Sequence, residues 1–146
     1  HTGNALSADF TGKGWRESLG YRDAPIYTPH QAGEMLGTLA QALDLAFFEY
    51  WVTDYIGHKQ DMLRAVEILD QFDQVIAGLL TTWNIQEDLI LITSDHGNLE
   101  DLSTRRHTRN PVPAILIGSE EHRRKFSANL VDLTGITPAI LSMLAL

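Results

Sequence analysis

The sequence of 146 residues contains no cysteine. Disulfide frameworks, thiolate zinc sites and cysteine nucleophiles are therefore excluded. Long hydrophobic runs are also missing, since the longest apolar stretches, such as 89–92 and 139–146, are too short to span a bilayer. Basic residues are scarce, with 11 Lys and Arg against 19 Asp and Glu, and the formal net charge is -8. This charge disfavours nucleic acid and membrane surfaces as partners, and a bound cation would offset it.

The composition is otherwise that of an ordinary globular domain, with 44% hydrophobic and 21% charged residues. We expect one domain over residues 1–146, in which residues 1–28 form an ordered loop punctuated by glycines. The chain begins with His1, and no basic-then-apolar leader follows, so we expect a fragment that lacks its N-terminal part. The absence of a leader and of cysteine favours the cytoplasm. Nothing in the sequence indicates an oligomeric state.

Hydrophobic periodicity predicts an α/β fold. Thr28 as N-cap and Pro29 as first helical residue mark one helix start. Predicted helices cover 29–43, about 60–80 and 137–144, and predicted buried strands cover Leu45–Thr53, 88–93 and 113–118. Continuous apolar strands in the order αβαββα indicate a layered sheet with helices on both faces. The connection from Asp95 to Val112 has no helical period, which favours an antiparallel return between the last two strands.

The segment 60–80 has the most regular helical period. Its apolar positions recur every three or four residues, with charged residues between them. We expect the core-facing positions to be Met62, Val66, Leu69, Phe72, Ile76 and Leu79 or Leu80.

Carboxylates and imidazoles stand beside the predicted strand ends. Asp54 precedes His58 by four residues, Asp95 is followed by His96, and His107 lies in the returning loop. Ligands bind where strands end in open α/β sheets, so we expect these side chains to converge. Nitrogen and oxygen donors without thiolate suit zinc or manganese.

Each motif by itself also has a purely structural explanation. Residues 54–58 are compatible with a strand cap followed by a helix-capping turn, and residues 94–98 with a turn rich in Asp, Gly and Asn. His107 alone is compatible with an ordinary surface loop. The joint placement of all three segments at one edge favours a metal site.

Three motifs carry a family resemblance. They are Asp-Tyr-Ile-Gly-His at 54–58, Thr-Ser-Asp-His-Gly-Asn at 93–98, and Arg-His-Thr-Arg-Asn-Pro-Val-Pro at 106–113. In this order they resemble the metalloenzyme domain of the alkaline phosphatase superfamily, in the branch of cofactor-independent phosphoglycerate mutase and phosphopentomutase. The resemblance spans roughly residues 45–140 and implies an alkaline-phosphatase-like fold whose N-terminal portion is missing.

The resemblance implies two divalent metal ions, manganese or zinc. Asp54, His58 and His107 would hold one ion, and Asp95 and His96 would help to hold the second. The implied reaction is a two-step phosphoryl transfer on a small phosphorylated metabolite, in which a metal-activated Ser or Thr attacks phosphorus.

The implied nucleophile is expected upstream of His1, so we expect the chain alone to be inactive. Ser94 is a poor substitute for it, and Ser7 and Thr11 lie in a glycine-rich loop without an elbow-like context.

Three arginines around His107 are candidates for substrate binding. The guanidinium groups of Arg105, Arg106 and Arg109 suit phosphate or carboxylate. A solvated basic turn is the alternative explanation for Arg105 and Arg106.

Two other functions stay open at this point. One is a non-catalytic domain that keeps its metals for structure or binds a partner through the loop containing Trp15 and Tyr21. The other is a sulfatase or phosphodiesterase with the same ligands. No residue in this chain distinguishes either of these functions from the hypothesis of a phosphomutase or phosphatase.

Overall fold

The computed structural model describes residues 5–145. Within that range two compact units are formed, one from residues up to Trp83 together with Asn98–Thr108, and one from Asn84–Gly97 together with the residues from Arg109 onward. The helices are α1 (Lys13–Glu17), α2 (Pro29–Ala40), α3 (Val52–Lys59), α4 (Met62–Thr82), α5 (Glu120–Ser127) and α6 (Ile136–Met143), and the strands are β1 (Ile90–Thr93) and β2 (Ala114–Ile117). In the described part of the chain, no helix is both long enough and apolar enough to cross a membrane.

The first unit is built on the packing of α2 against α4. The predicted start of α2 is confirmed, because Thr28 and Gln31 form a capping box and Pro29 occupies the first turn. A Cβ atom added to Gly33 would lie 1.9 Å from the carbonyl oxygen of Val75, so only glycine allows the two backbones to approach this closely. Val75 is fully buried at this crossing.

The long helix α4 is confirmed, but its predicted core face is only partly right. Met62 is 62% exposed, and Val66 and Leu69 are each 49% exposed. The buried positions are Ala65, Ile68, Val75, Gly78 and Leu79. The small residues Ala65 and Gly78 on this buried face let α2 and α3 pack closely against α4. The larger apolar side chains on the neighbouring face of α4 point outward.

The prediction of a buried strand over Leu45–Thr53 is wrong. Residues 45–50, all within the described range, form no strand, and Thr53 already belongs to α3. The apolar run is covered on one side only. Phe48 stacks on Phe10 at a centroid distance of 4.8 Å, and the ring of Tyr50 packs against Phe10 at a tilt, 4.6 Å away. Phe47, in contrast, is 89% exposed. The consequence is that Asp54 lies in the first turn of a helix and not at a strand end.

The second unit contains a two-stranded antiparallel sheet. Strand β1 pairs with β2 from Ile90 opposite Ile117 to Thr93 opposite Ala114, which confirms both strands and the antiparallel return. Helix α6 is also confirmed, whereas α5, capped by the Ser119 side chain, was not predicted. The α/β class is thus supported, and the layering of helices on both faces stays a prediction.

The segment predicted as an ordered loop, 1–28, is described from residue 5 and includes α1. A turn before α1 is organised by the carboxylate of Asp9. It accepts hydrogen bonds from the Ser7 hydroxyl at 2.5 Å and from the amides of Gly12 and Gly14 at 2.8 Å each. Burial by itself raises the pKa of Asp9, but these hydrogen bonds outweigh it and hold the pKa below its usual value.

We expect Asp9→Asn to lower the free energy of unfolding at pH 7 by about 1 kcal/mol, because the charge-assisted hydrogen bonds are weakened. A carboxyl whose pKa is lowered by folding stabilises the protein above its unfolded pKa of about 3.9, and this contribution is lost as the pH falls through the folded value. The difference between parent and variant should therefore shrink below about pH 4. Urea unfolding in the presence of chelator checks this, and an undiminished difference at pH 2 would contradict it.

Candidate metal centre

Helix α3 places Asp54 and His58 on one face, because residues four apart in an α-helix are neighbours on its surface. Asp54 Oδ1 lies 3.4 Å from His58 Nε2, and each side chain is about 40% exposed, at 39% and 41%. The pair thus faces outward from the buried side of α3, which is formed by Ile56 and Gly57.

The loop 98–108 brings His107 to this pair. His107 Nε2 lies 3.2 Å from Asp54 Oδ1 and 3.2 Å from His58 Nε2. Three potential ligand atoms therefore form a small triangle within the first unit. The structure brings these three predicted residues together, with Asp54 on a helix rather than at a strand end, and their role as metal ligands stays a prediction.

A main-chain contact sets the orientation of His58. Its Nδ1 lies 2.7 Å from the carbonyl oxygen of Arg105. A carbonyl can only accept, so Nδ1 must carry the hydrogen, and in the neutral ring the lone pair is then on Nε2. Nε2, the candidate ligand nitrogen, consequently faces Asp54 and His107. Metal-binding histidines are commonly oriented in this way by a partner of their other ring nitrogen.

The triangle fits a divalent metal ion. Two ligands on a tetrahedral zinc ion with bonds of about 2.0–2.1 Å are about 3.3 Å apart, and the three edges here measure 3.2, 3.2 and 3.4 Å. Two imidazoles and one carboxylate also match the donors that zinc and manganese accept.

Asn98 contacts the candidate site and was not predicted from the sequence, although it closes the Asp-His-Gly-Asn motif. Its side chain is buried, and its Nδ2 donates to Asp54 Oδ1 at 2.5 Å and to the Asp54 carbonyl at 3.3 Å. Gly57 makes room for it, because a Cβ atom there would lie 2.0 Å from Asn98 Oδ1. The glycine of the Asp-x-x-Gly-His motif thus has a steric reason.

Asp95 and His96 follow β1 in the second unit. Asp95 Oδ2 lies 3.5 Å from His96 Nε2, and the Asp95 side chain is 87% exposed. The hydroxyl of Ser94 donates to the main-chain carbonyl of His96 at 2.8 Å. The assignment of Asp95 and His96 to a second metal ion stays a prediction.

The three arginines are exposed. Arg105 belongs to the first unit and donates from Nε to the side-chain oxygen of Gln60 at 3.1 Å. Arg106 is also in the first unit, whereas Arg109 begins the last segment of the second. Their role in substrate binding stays a prediction.

Two hydroxyls considered as nucleophiles are occupied or buried. The Ser7 hydroxyl donates to Asp9, and Thr11 is only 5% exposed. That the nucleophile lies upstream of His1 stays a prediction.

Comparison with protein families gives the class of protein. The model of the Metalloenzyme superfamily matches residues 30–146. The chain belongs to this superfamily, and the resemblance predicted from the three motifs is confirmed.

Several individual proteins are similar to this chain, and those named here are phosphoglycerate mutases. A 2,3-bisphosphoglycerate-independent phosphoglycerate mutase from Antithamnion sp. is 30% identical over 124 residues, covering 77% of this chain and 24% of the relative. The enzymes of that name from Gloeothece citriformis and Cereibacter sphaeroides are 34% and 26% identical, over 70% and 81% of this chain and 21% and 24% of their own lengths. The chain thus spans about a quarter of these relatives. No solved structure matches it.

Proposed function

We propose that this chain carries a divalent metal site of an enzyme that transfers phosphoryl groups on a small phosphorylated metabolite. The triangle formed by Asp54 Oδ1, His58 Nε2 and His107 Nε2 is the observation that carries the proposal. Membership of the Metalloenzyme superfamily supports the metal, and the phosphoglycerate mutases among the relatives support the phosphate ester. Phosphoglycerate is accordingly the first substrate to test.

In this proposal each group has a distinct task. Asp54 contributes negative charge, and His58 and His107 contribute neutral nitrogen donors. Asp95 and His96 contribute to a second ion, and Arg105, Arg106 and Arg109 bind anionic oxygens of the substrate. Bound divalent ions supply charge stabilisation for the attacking and leaving oxygens of phosphoryl transfer.

The Arg105 carbonyl has a positioning task. It holds the hydrogen of His58 on Nδ1. In this proposal the availability of His58 Nε2 for the metal therefore depends on the position of the main chain at Arg105.

The test is turnover of para-nitrophenyl phosphate, phosphoglycerate and a panel of sugar phosphates by protein produced from the complete reading frame. We expect activity with manganese or zinc, its loss on chelation, and a fall of at least about 100-fold in His58→Ala. His30→Ala is the matched control, because His30 also pairs with a carboxylate four residues away, at 3.6 Å from Glu34, but lies on α2. Activity that ignores the chelator, or a preference for sulfate esters or phosphodiesters, would overturn the proposal.

A further inference from the structure

We propose that Asn98 is a positioning residue that fixes the Asp54 carboxylate as a ligand through one oxygen, Oδ1. The inference rests on the proposed metal site and adds a residue outside its ligand set. Asn98 approaches Asp54 from the buried side of α3 and is itself only 5% exposed.

The hydrogen bond from Asn98 acts on the oxygen that faces the histidines. Asp54 Oδ1 is the atom within 3.4 Å of both His58 Nε2 and His107 Nε2, and Asn98 Nδ2 donates to this same atom at 2.5 Å. This hydrogen bond opposes rotation of the carboxylate about its Cβ–Cγ bond, and it thereby keeps Oδ1 directed toward the two imidazoles.

Asn98 is held in place by contacts on both sides of its side chain. The amide also donates to the Asp54 carbonyl, and the carboxamide lies against Gly57, where any side chain would collide with it. Its main-chain N–H donates to Glu100 Oε2 at 2.6 Å. The donor is thus placed before any ion binds.

The same glutamate connects Asn98 with the loop that carries His107. Glu100 Oε1 accepts a hydrogen bond from the hydroxyl of Thr108, the residue directly after His107. One loop element therefore orients the carboxylate from α3 and braces the residue beside the imidazole. The geometry of the site therefore depends on loop 98–108 as much as on α3.

The experiment is titration of the 146-residue chain with zinc and cobalt, comparing Asn98→Ala with Ser103→Ala. The control removes a side-chain hydrogen bond of the same loop, from Ser103 to Asp101 at 2.6 Å, without touching Asp54. We expect Asn98→Ala to weaken zinc binding about 10- to 100-fold, as loss of a partner of a metal ligand commonly does. The visible spectrum of bound cobalt should change as well, because the freed carboxylate changes its coordination geometry. Ser103→Ala should leave both unchanged.

A melt in chelator establishes that the variants are folded, and Asn98→Ser replaces Asn98→Ala if the latter is not. Parent-like affinity and an unchanged cobalt spectrum in a folded Asn98 variant would overturn the role of Asn98 while leaving the metal site intact. Failure of the parent chain to bind zinc or cobalt would overturn the proposed function and this inference together.

Discussion

Replacing His107 with alanine is expected to abolish the rise in melting temperature that zinc or manganese produces in the unaltered chain. A ligand present at about a hundred times its dissociation constant, bound to the folded form only, stabilises a protein by about 2.7 kcal/mol. For a chain of this size the corresponding shift is roughly 5 to 10 °C. His107 contributes one corner of the ligand triangle, at 3.2 Å from both other atoms, so its removal leaves two ligands from a single helix.

Variants at two aspartates make this prediction specific. Asp54→Ala should abolish the shift as His107→Ala does, because it removes the anionic corner of the triangle. Asp95→Ala should leave most of it, since Asp95 is assigned to a second ion with fewer protein ligands in this chain. Melts with and without chelator, combined with metal analysis of each purified variant, decide the outcome. Equal losses in all three variants, or no metal-dependent shift in the parent, would defeat the assignment.

Gly57→Ala is expected to destabilise the folded chain by about 2 to 3 kcal/mol in metal-free buffer, which is opposite in sign to the usual effect in a helix. Alanine normally stabilises a helix interior by about 1 kcal/mol relative to glycine. Here the new Cβ atom would lie 2.0 Å from Asn98 Oδ1 and 2.6 Å from its Cγ, and overpacking of this kind costs about 1 to 3 kcal/mol. Displacement of the buried Asn98 also breaks its hydrogen bonds to Asp54.

The double variant Gly57→Ala with Asn98→Ala provides the control. The nearest neighbours of the added Cβ are all side-chain atoms of Asn98, so shortening residue 98 removes the collision. In the Asn98→Ala background the Gly57→Ala change should cost far less than in the parent, giving a coupling between the two positions of at least about 1 kcal/mol. Urea unfolding of the four proteins measures it. Additive losses would show that the cost of alanine at position 57 does not come from Asn98.

The candidate ligand residues could be named from the sequence because their chemistry and spacing are local. Four-residue spacing brings Asp54 and His58 together on a helix, although the apolar residues before them had suggested a strand. That error has a physical cause: an apolar run shows how hydrophobic a segment is, but not whether one side or both are covered. Phe48 and Tyr50 are packed, whereas Phe47 faces outward.

Asn98 and the orientation of His58 were not predicted, since both depend on contacts between segments far apart in the chain. Asn98 reaches Asp54 across 44 residues, and Arg105 reaches His58 across 47. An asparagine after glycine is also typical of an ordinary turn. The signal for Asn98 was its place in the Asp-His-Gly-Asn motif, while the steric need for glycine at position 57 becomes evident only in three dimensions.

The ligand triangle joins two stretches of chain, with His58 and His107 separated by 49 positions. An ion held there acts as a reversible cross-link that closes a loop of this length. The unfolded chain loses the entropy of closing such a loop only while the ion stays bound to it. Metal should therefore slow the release of loop 98–108 from α3 more than it speeds folding, provided that the triangle forms after the folding transition state. The rate at which proteases cleave this loop should therefore report the rate of metal dissociation.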